Sequence, residues 1–139
     1  MRLELPPQMK LVHETVIPIR WGDMDAMGHV NNTIHFRYME TARLEWIYQA
    51  CGAGSMSSQG PLMVNGFCNY RRQLEHPGDV LVKTFVANPG RSSFDSFHTI
   101  ARTDLPGEIW ADGGATLVWT DHAAKKSAPM PDWFRALLV

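Results

Sequence analysis

Three observations predict an α+β chain in which a five-stranded antiparallel sheet wraps around one long central helix. Residues 33–50 place apolar side chains at helical spacing around most of their circumference. The stretches before and after that segment are rich in β-branched residues and alternate with period two. Three Pro-Gly pairs, at 77–78, 89–90 and 106–107, punctuate the second half at intervals that suit short connections between strands.

The first element, residues 9–20 (MKLVHETVIPIR), reads as a strand, with Pro18 marking its end near a bulge or at a sheet edge. The helix follows from about Thr33 to Ala50. Ile34, Tyr38, Ala42, Trp46 and Ala50 recur every four residues, with Met39 and Ile47 widening the stripe. Arg37, Glu40, Arg43 and Glu45 leave a narrow polar face, so the helix is expected to be mostly enclosed, and Gly52 and Gly54 supply its stop. A Gly/Ser-rich loop leads to a strand over 62–75 with a bulge expected at Gly66. Three more strands are expected at 80–87, 92–102 and 108–120, each set off by a Pro-Gly turn. The tail ends in an amphipathic stretch, DWFRALLV, suited to capping the core. One sheet of this size cannot cover both sides of its own helix, which predicts association with a second copy.

The 139 residues read as one domain, 1–139, large enough to bury a core without staples. A formal net charge of −1 lacks the basic footprint of a nucleic-acid binder. No stretch approaches the roughly 18–20 apolar residues needed to cross a bilayer. The amino-terminal run MRLELPPQMK holds no signal-peptide core, so a soluble cytoplasmic protein is expected. Cys51 and Cys68 form no spacing motif and read as small hydrophobes in a reducing compartment.

The chemistry concentrates in RWGDMDAMGHVNNTIHFRYMETARLE, residues 20–45. Asp23 and Asp25 sit on a turn that runs through Gly28-His29-Val30-Asn31-Asn32 into the helix. Aspartate before a helix is usually a cap or turn former. Here Asn31 or Asn32 can serve as the cap, which frees Asp25. A carboxylate beside a helix amino terminus, where backbone N–H groups are unpaired, is a layout for attack on a carbonyl. Carboxylates are weak bases, so the layout suits a good leaving group such as a thiolate, whose parent thiol has a pKa of about 8.5. Exposed N–H groups near 30–32 would hold the oxyanion, an effect worth about 3–4 kcal/mol. His29 reads either as an acid/base partner or as a loop residue bonded to backbone. The spacing of Asp23, Asp25, His29 and His35 matches no standard metal site, and no cofactor is expected. Gly90-Arg91-Ser92-Ser93 could hold a phosphate or simply shape a hairpin. Arg71-Arg72 is a further weak candidate.

The run from Arg20 to Glu45 resembles the 4-hydroxybenzoyl-CoA thioesterase family of hot-dog-fold acyl-CoA thioesterases. The match lies in Asp23 and Asp25, in Gly28-His29-Val30-Asn31-Asn32, then in Tyr38 and Glu40-Thr41-Ala42-Arg43. It continues more loosely through the Pro-Gly strands and the GRSSF segment at 90–94. The resemblance implies a five-stranded sheet around one helix, assembled as dimers or tetramers whose sites are shared between subunits. It implies a catalytic set of Asp25 as nucleophile or general base, the Asn32 N–H as the oxyanion donor, and His29. Gly28, Asn31, His35 and Tyr38 would bind substrate, with His35 bearing on the acyl pocket, and Arg91, Ser92 and Ser93 would meet the phosphates of coenzyme A. Asn32 stands where many members carry His, and His35 where an aromatic Tyr is expected. The competing expectation is a non-catalytic hot-dog protein that binds an acyl-CoA or another small molecule without thiol release.

Overall fold

The computed structural model describes residues 3–139, leaving out the side chains of Ala53 and Ser55. Met1 and Arg2 of the amino-terminal run lie outside the described residues. The elements are β1 (Lys10–Pro18), α1 (Asn32–Cys51), β2 (Gln59–Tyr70), β3 (Asp79–Ala87), β4 (Ser93–Arg102), β5 (Ala111–Asp121), β6 (Lys126–Ser127) and α2 (Asp132–Leu138). The strands pair antiparallel in the order β1-β3-β4-β5-β2, and the two-residue β6 adds to the end of β5. This is the hot-dog arrangement, with α1 against the sheet.

The expected elements are all present, with four corrections. The strand expected over 62–75 begins earlier, at Gln59, and stops at Tyr70, so residues 71–75 form a connection instead. Its register shift falls between Met63 and Asn65 rather than at Gly66. The Pro77-Gly78 turn is no hairpin: β2 lies at the far edge beside β5, while β3 lies between β1 and β4. The last long strand starts at Ala111 because Arg71 and Arg72 both donate backbone N–H groups to the Trp110 carbonyl, at 3.0 Å each.

Local signals explain α1. The Asn31 carboxamide accepts from the Thr33 N–H at 2.9 Å and caps the first turn. Gly52, at φ +82, ends the helix with a conformation that side chains resist. The buried stripe is His35, Tyr38, Met39, Ala42, Arg43, Trp46 and Ile47. It is rotated slightly from the expected one: Ala50 is exposed, and Arg43 is buried rather than polar-facing. The helix is also less enclosed than expected. Phe36, Leu44 and Tyr48 are exposed on it, and so are Leu62, Met63 and Val64 on the β2 edge.

Every second residue of the central strands faces the helix: Val80, Val82, Thr84 and Val86, then Phe94, Ser96, His98 and Ile100, then Ala111, Ala115, Leu117 and Trp119. One end of the core joins Tyr38, Met39 and Ala42 to Ile19, Val30, Leu74 and Val80. The other end is closed by α2, whose Phe134 packs among Trp46, Phe94 and Trp119 with ring centroids 4.8–6.2 Å away. Buried aromatic contacts of this kind contribute about 0.5–1.5 kcal/mol beyond area burial. No described helix is long and apolar enough to cross a membrane.

Candidate active site

Residues 24–30 fold into a small hairpin that delivers Asp25 beside the start of α1. Met24 bridges Val30, the Asp25 N–H donates to the His29 carbonyl at 2.8 Å, and Gly28 turns the chain at φ +81. Two further backbone bonds pin this hairpin. The Val30 N–H donates to Leu74 and the Asn31 N–H to Asp23, both at 2.8 Å. Asp25 forms the turn through one carboxylate oxygen and leaves the other free. Oδ1 accepts from the Met27 N–H at 2.9 Å and the His29 N–H at 3.4 Å, while Oδ2 has no partner among the described residues. The carboxylate is therefore oriented by one oxygen and open through the other.

Asp25, His29, Asn32 and His35 line one cleft of about 460 Å³, together with Met27, Tyr70, Arg71, Arg72, Gln73 and Leu74. That volume lies in the usual range for small-molecule sites, about 300–1,000 Å³. Asn32 opens α1, and its N–H has no partner among the described residues. The Tyr70 hydroxyl donates to the Asn32 carbonyl at 2.7 Å and holds this helix end against β2. Burial pushes the Tyr70 hydroxyl up to about 12, so it stays protonated. His29 Nε2 lies 3.5 Å from the exposed carboxylate of Glu75.

His35 is 2% exposed, and burial lowers its pKa against the opposing pull of the Asn31 and Asn32 carbonyls. Its Nδ1 is 3.3 Å from the Asn31 carbonyl, which can only accept, so Nδ1 carries the proton. Nε2 is then a bare acceptor, buried without a partner, and the ring meets Tyr70 edge-on at 4.8 Å.

The other sequence-derived candidates separate from this cleft. Gly28 shapes the hairpin, and Asn31 is spent on the cap. Tyr38 is 3% exposed, donates to Asp23 Oδ2 at 2.8 Å, and faces a different crevice beside Ile17 and Arg20. Arg91, Ser92 and Ser93 lie at the opposite end of the sheet in the same chain. Gly78 at the start of β3 bonds to Ile19 near the hairpin, whereas residues 88–92 follow its end. The strand between spans on the order of 27 Å.

Met27, Gln73 and Leu74 also line the cleft without a signal in the sequence, and Tyr70 reads from sequence as a core or interface residue that could line an acyl pocket. Tyr70 closes a strand, and only the β2–β5 pairing brings that end beside α1. Arg71 and Arg72 do border the cleft, but each has a partner: Arg71 pairs with Asp112 at 2.6 Å, and Arg72 pairs with Glu108 and stacks on Trp110 at 4.5 Å. Among the described residues no three His, Cys, Asp or Glu gather as a metal site. Both cysteines are free thiols, and burial pushes Cys68 up to about 11, away from reactivity.

A family model described as the thioesterase-like superfamily matches residues 19–138. Among curated proteins, none matches this chain. A provisional thioesterase from Pseudomonas aeruginosa superposes with a TM-score of 0.86 at 36% identity, covering 91% of this chain and 98% of its own. A provisional acyl-CoA thioesterase from Xanthomonas campestris gives 0.78 at 34% identity, over 87% and 100%. A DHNA-CoA thioesterase from Staphylococcus aureus, at 23% identity and 0.78 over 88% and 86%, shares the fold.

Proposed function

This chain belongs to the thioesterase-like superfamily, and on that premise we propose that it hydrolyses acyl-CoA thioesters to the free acid and coenzyme A. One observation carries the reading. The open Oδ2 of Asp25 and the Asn32 N–H, unpartnered among the described residues, line one cleft, which supports a base or nucleophile and an oxyanion donor acting on the same carbonyl.

The thioester carbonyl oxygen accepts from the Asn32 N–H, and negative charge grows there as the carbonyl carbon is attacked. In the general-base form, Asp25 takes a proton from water, and the hydroxide equivalent adds to the carbon. The tetrahedral species then collapses, breaks the C–S bond and releases thiolate, which recovers the proton. In the nucleophilic form, Oδ2 adds first, thiolate leaves, and water hydrolyses the resulting anhydride. Either way Oδ1 stays on its backbone donors and keeps the carboxylate aimed.

The same reading makes the working protein a cytoplasmic homodimer or dimer of dimers, each chain one domain. The exposed apolar residues of α1 and the β2 edge favour a second copy as their cover. That copy is also needed if Arg91, Ser92 and Ser93 are to meet coenzyme A phosphates, since their own cleft is a strand length away. A free-thiol assay across an acyl-CoA panel, on wild type and Asp25→Asn, tests the proposal. Turnover is expected to fall by about two to four orders of magnitude in the variant. Saturable ligand binding with no thiol release from wild type would instead establish a non-catalytic binder. Near-full turnover by the variant would remove Asp25 from the mechanism.

A further inference from the structure

The chemistry at Asp25 makes no use of Arg43, which lies three turns along α1 and is only 7% exposed. A guanidinium is rarely buried without an anion, because it surrenders its hydration. Yet Arg43 has no ion-pair partner among the described residues, and its Nη2 meets only Met63 Sδ, at 3.8 Å. Glu40 acts on it through space, while that carboxylate lies 3.8 Å from Arg37. Burial pulls the Arg43 pKa down from its ordinary value against this attraction.

His98 reaches the same place from β4. It is fully buried, with Nδ1 3.2 Å from Thr84 Oγ1 and Nε2 without a partner. Arg43 and His98 line a pocket of about 270 Å³ between α1 and the β2–β5 edge, closed by Phe36, Met39 and Met63. Its charged walls, Arg37 and Arg43 against Glu40, carry one positive charge in excess. The Thr84 hydroxyl has no other acceptor among the described residues, so it donates to Nδ1 and the ring proton sits on His98 Nε2. The imidazole and the guanidinium then both offer N–H donors to an acceptor that no described residue supplies.

We propose that this pocket is a carboxylate subsite anchored by Arg43, with His98 as a second donor, and that the substrates are thioesters whose acyl group ends in a carboxylate. The substrate claim rests on the thioesterase reading. Thr33 and Ile34 at this pocket are chain neighbours of Asn32 and His35 in the cleft. Arg43 begins roughly 16 Å along the axis from Asn32, and helical side chains lean back toward the amino terminus. The two cavities share no lining residue, so an acyl chain with its carbonyl at Asn32 must cross along α1 to set its far carboxylate on the guanidinium. A guanidinium fork matches that planar anion with two parallel bonds.

The test compares CoA thioesters of equal length, one ending in methyl and one in carboxylate, by the ratio of their kcat/KM. Wild type is expected to favour the carboxylate about ten- to hundred-fold. Arg43→Met is expected to bring the ratio below one, because the carboxylate then meets an apolar wall. Should that variant not fold, Arg43→Lys keeps the charge without the fork and is expected to cut the ratio severalfold. In parallel, free adipate titrated into wild type is expected to shift the His98 ring resonances by NMR. No thioester turnover alongside intact adipate binding defeats the thioesterase reading and leaves the subsite standing. A ratio near one on turned-over substrates, with or without an adipate shift, overturns the inference and points to a second copy as the source of the counter-charge. Absence of both turnover and adipate binding overturns both.

Discussion

The Tyr38 hydroxyl donates to Asp23 Oδ2 at 2.8 Å, joining the buried face of α1 to the hairpin that carries Asp25. The same oxygen accepts the Arg20 N–H at 2.9 Å, and the Asp23 carbonyl accepts the Asn31 N–H at 2.8 Å. Asp23 and Asp25 thus divide the work. Asp23 ties strand end, hairpin and helix cap together, while Asp25 faces the cleft.

Tyr38→Phe is expected to cost about 1 kcal/mol of stability, read from urea unfolding, because a partly buried carboxylate oxygen loses a donor. Its second effect is kinetic. The spacing between Asp25 and the Asn32 N–H loosens, so kcat should fall severalfold with KM nearly unchanged. A variant matching wild type in kcat would make Tyr38 a core residue alone.

His98 makes stability depend on pH. Burial first, and the nearby Arg43 cation second, lower its pKa from the ordinary 6.5 to about 3. Between those values the unfolded chain binds a proton that the folded chain refuses. Its contribution is therefore complete above the unfolded pKa and is lost as pH falls toward 3, by at most roughly 1.4 kcal/mol per pH unit. The lowered pKa of His35 adds in the same direction. Urea midpoints followed from neutral pH downward should decline, and the slope should flatten by about one proton in His98→Gln. An unchanged slope would assign the decline to other groups.

Gly113 of β5 packs tightly against both the β2 backbone and the Met39 side chain of α1. A Cβ there would lie 2.3 Å from the Phe67 carbonyl oxygen and 3.0 Å from Met39 Sδ. Backbone cannot yield as a flexible side chain can. Gly113→Ala should therefore separate β2 from β5 locally and cost about 1–3 kcal/mol in thermal or urea unfolding. Wild-type stability in this variant would mean that the strand pair relaxes freely.

Legibility followed range along the chain. The cap at Asn31, the stop at Gly52 and the Gly28 turn involve partners a few residues away, so residue types alone identify them. The bulge was misplaced from Val64 to Gly66 because a register shift depends on the partner strand β5, which the β2 residues do not encode. Arg43 read as a surface cation because helical periodicity assigns a face without saying what lies opposite it.

The residues themselves determined one helix between strands, an antiparallel series, and the Asp25-to-Asn32 layout with its free amide at a helix start. Each follows from dihedral preference, period or capping, which act locally. Tertiary structure alone decided that β2 lies at the edge beside β5, that Tyr70 borders the cleft, that Tyr38 serves Asp23, and that Arg91 stands a strand length from Asp25. Those outcomes depend on which distant segments become neighbours. That choice is made by burying the apolar faces of all the elements at once, which no single stretch of chain specifies.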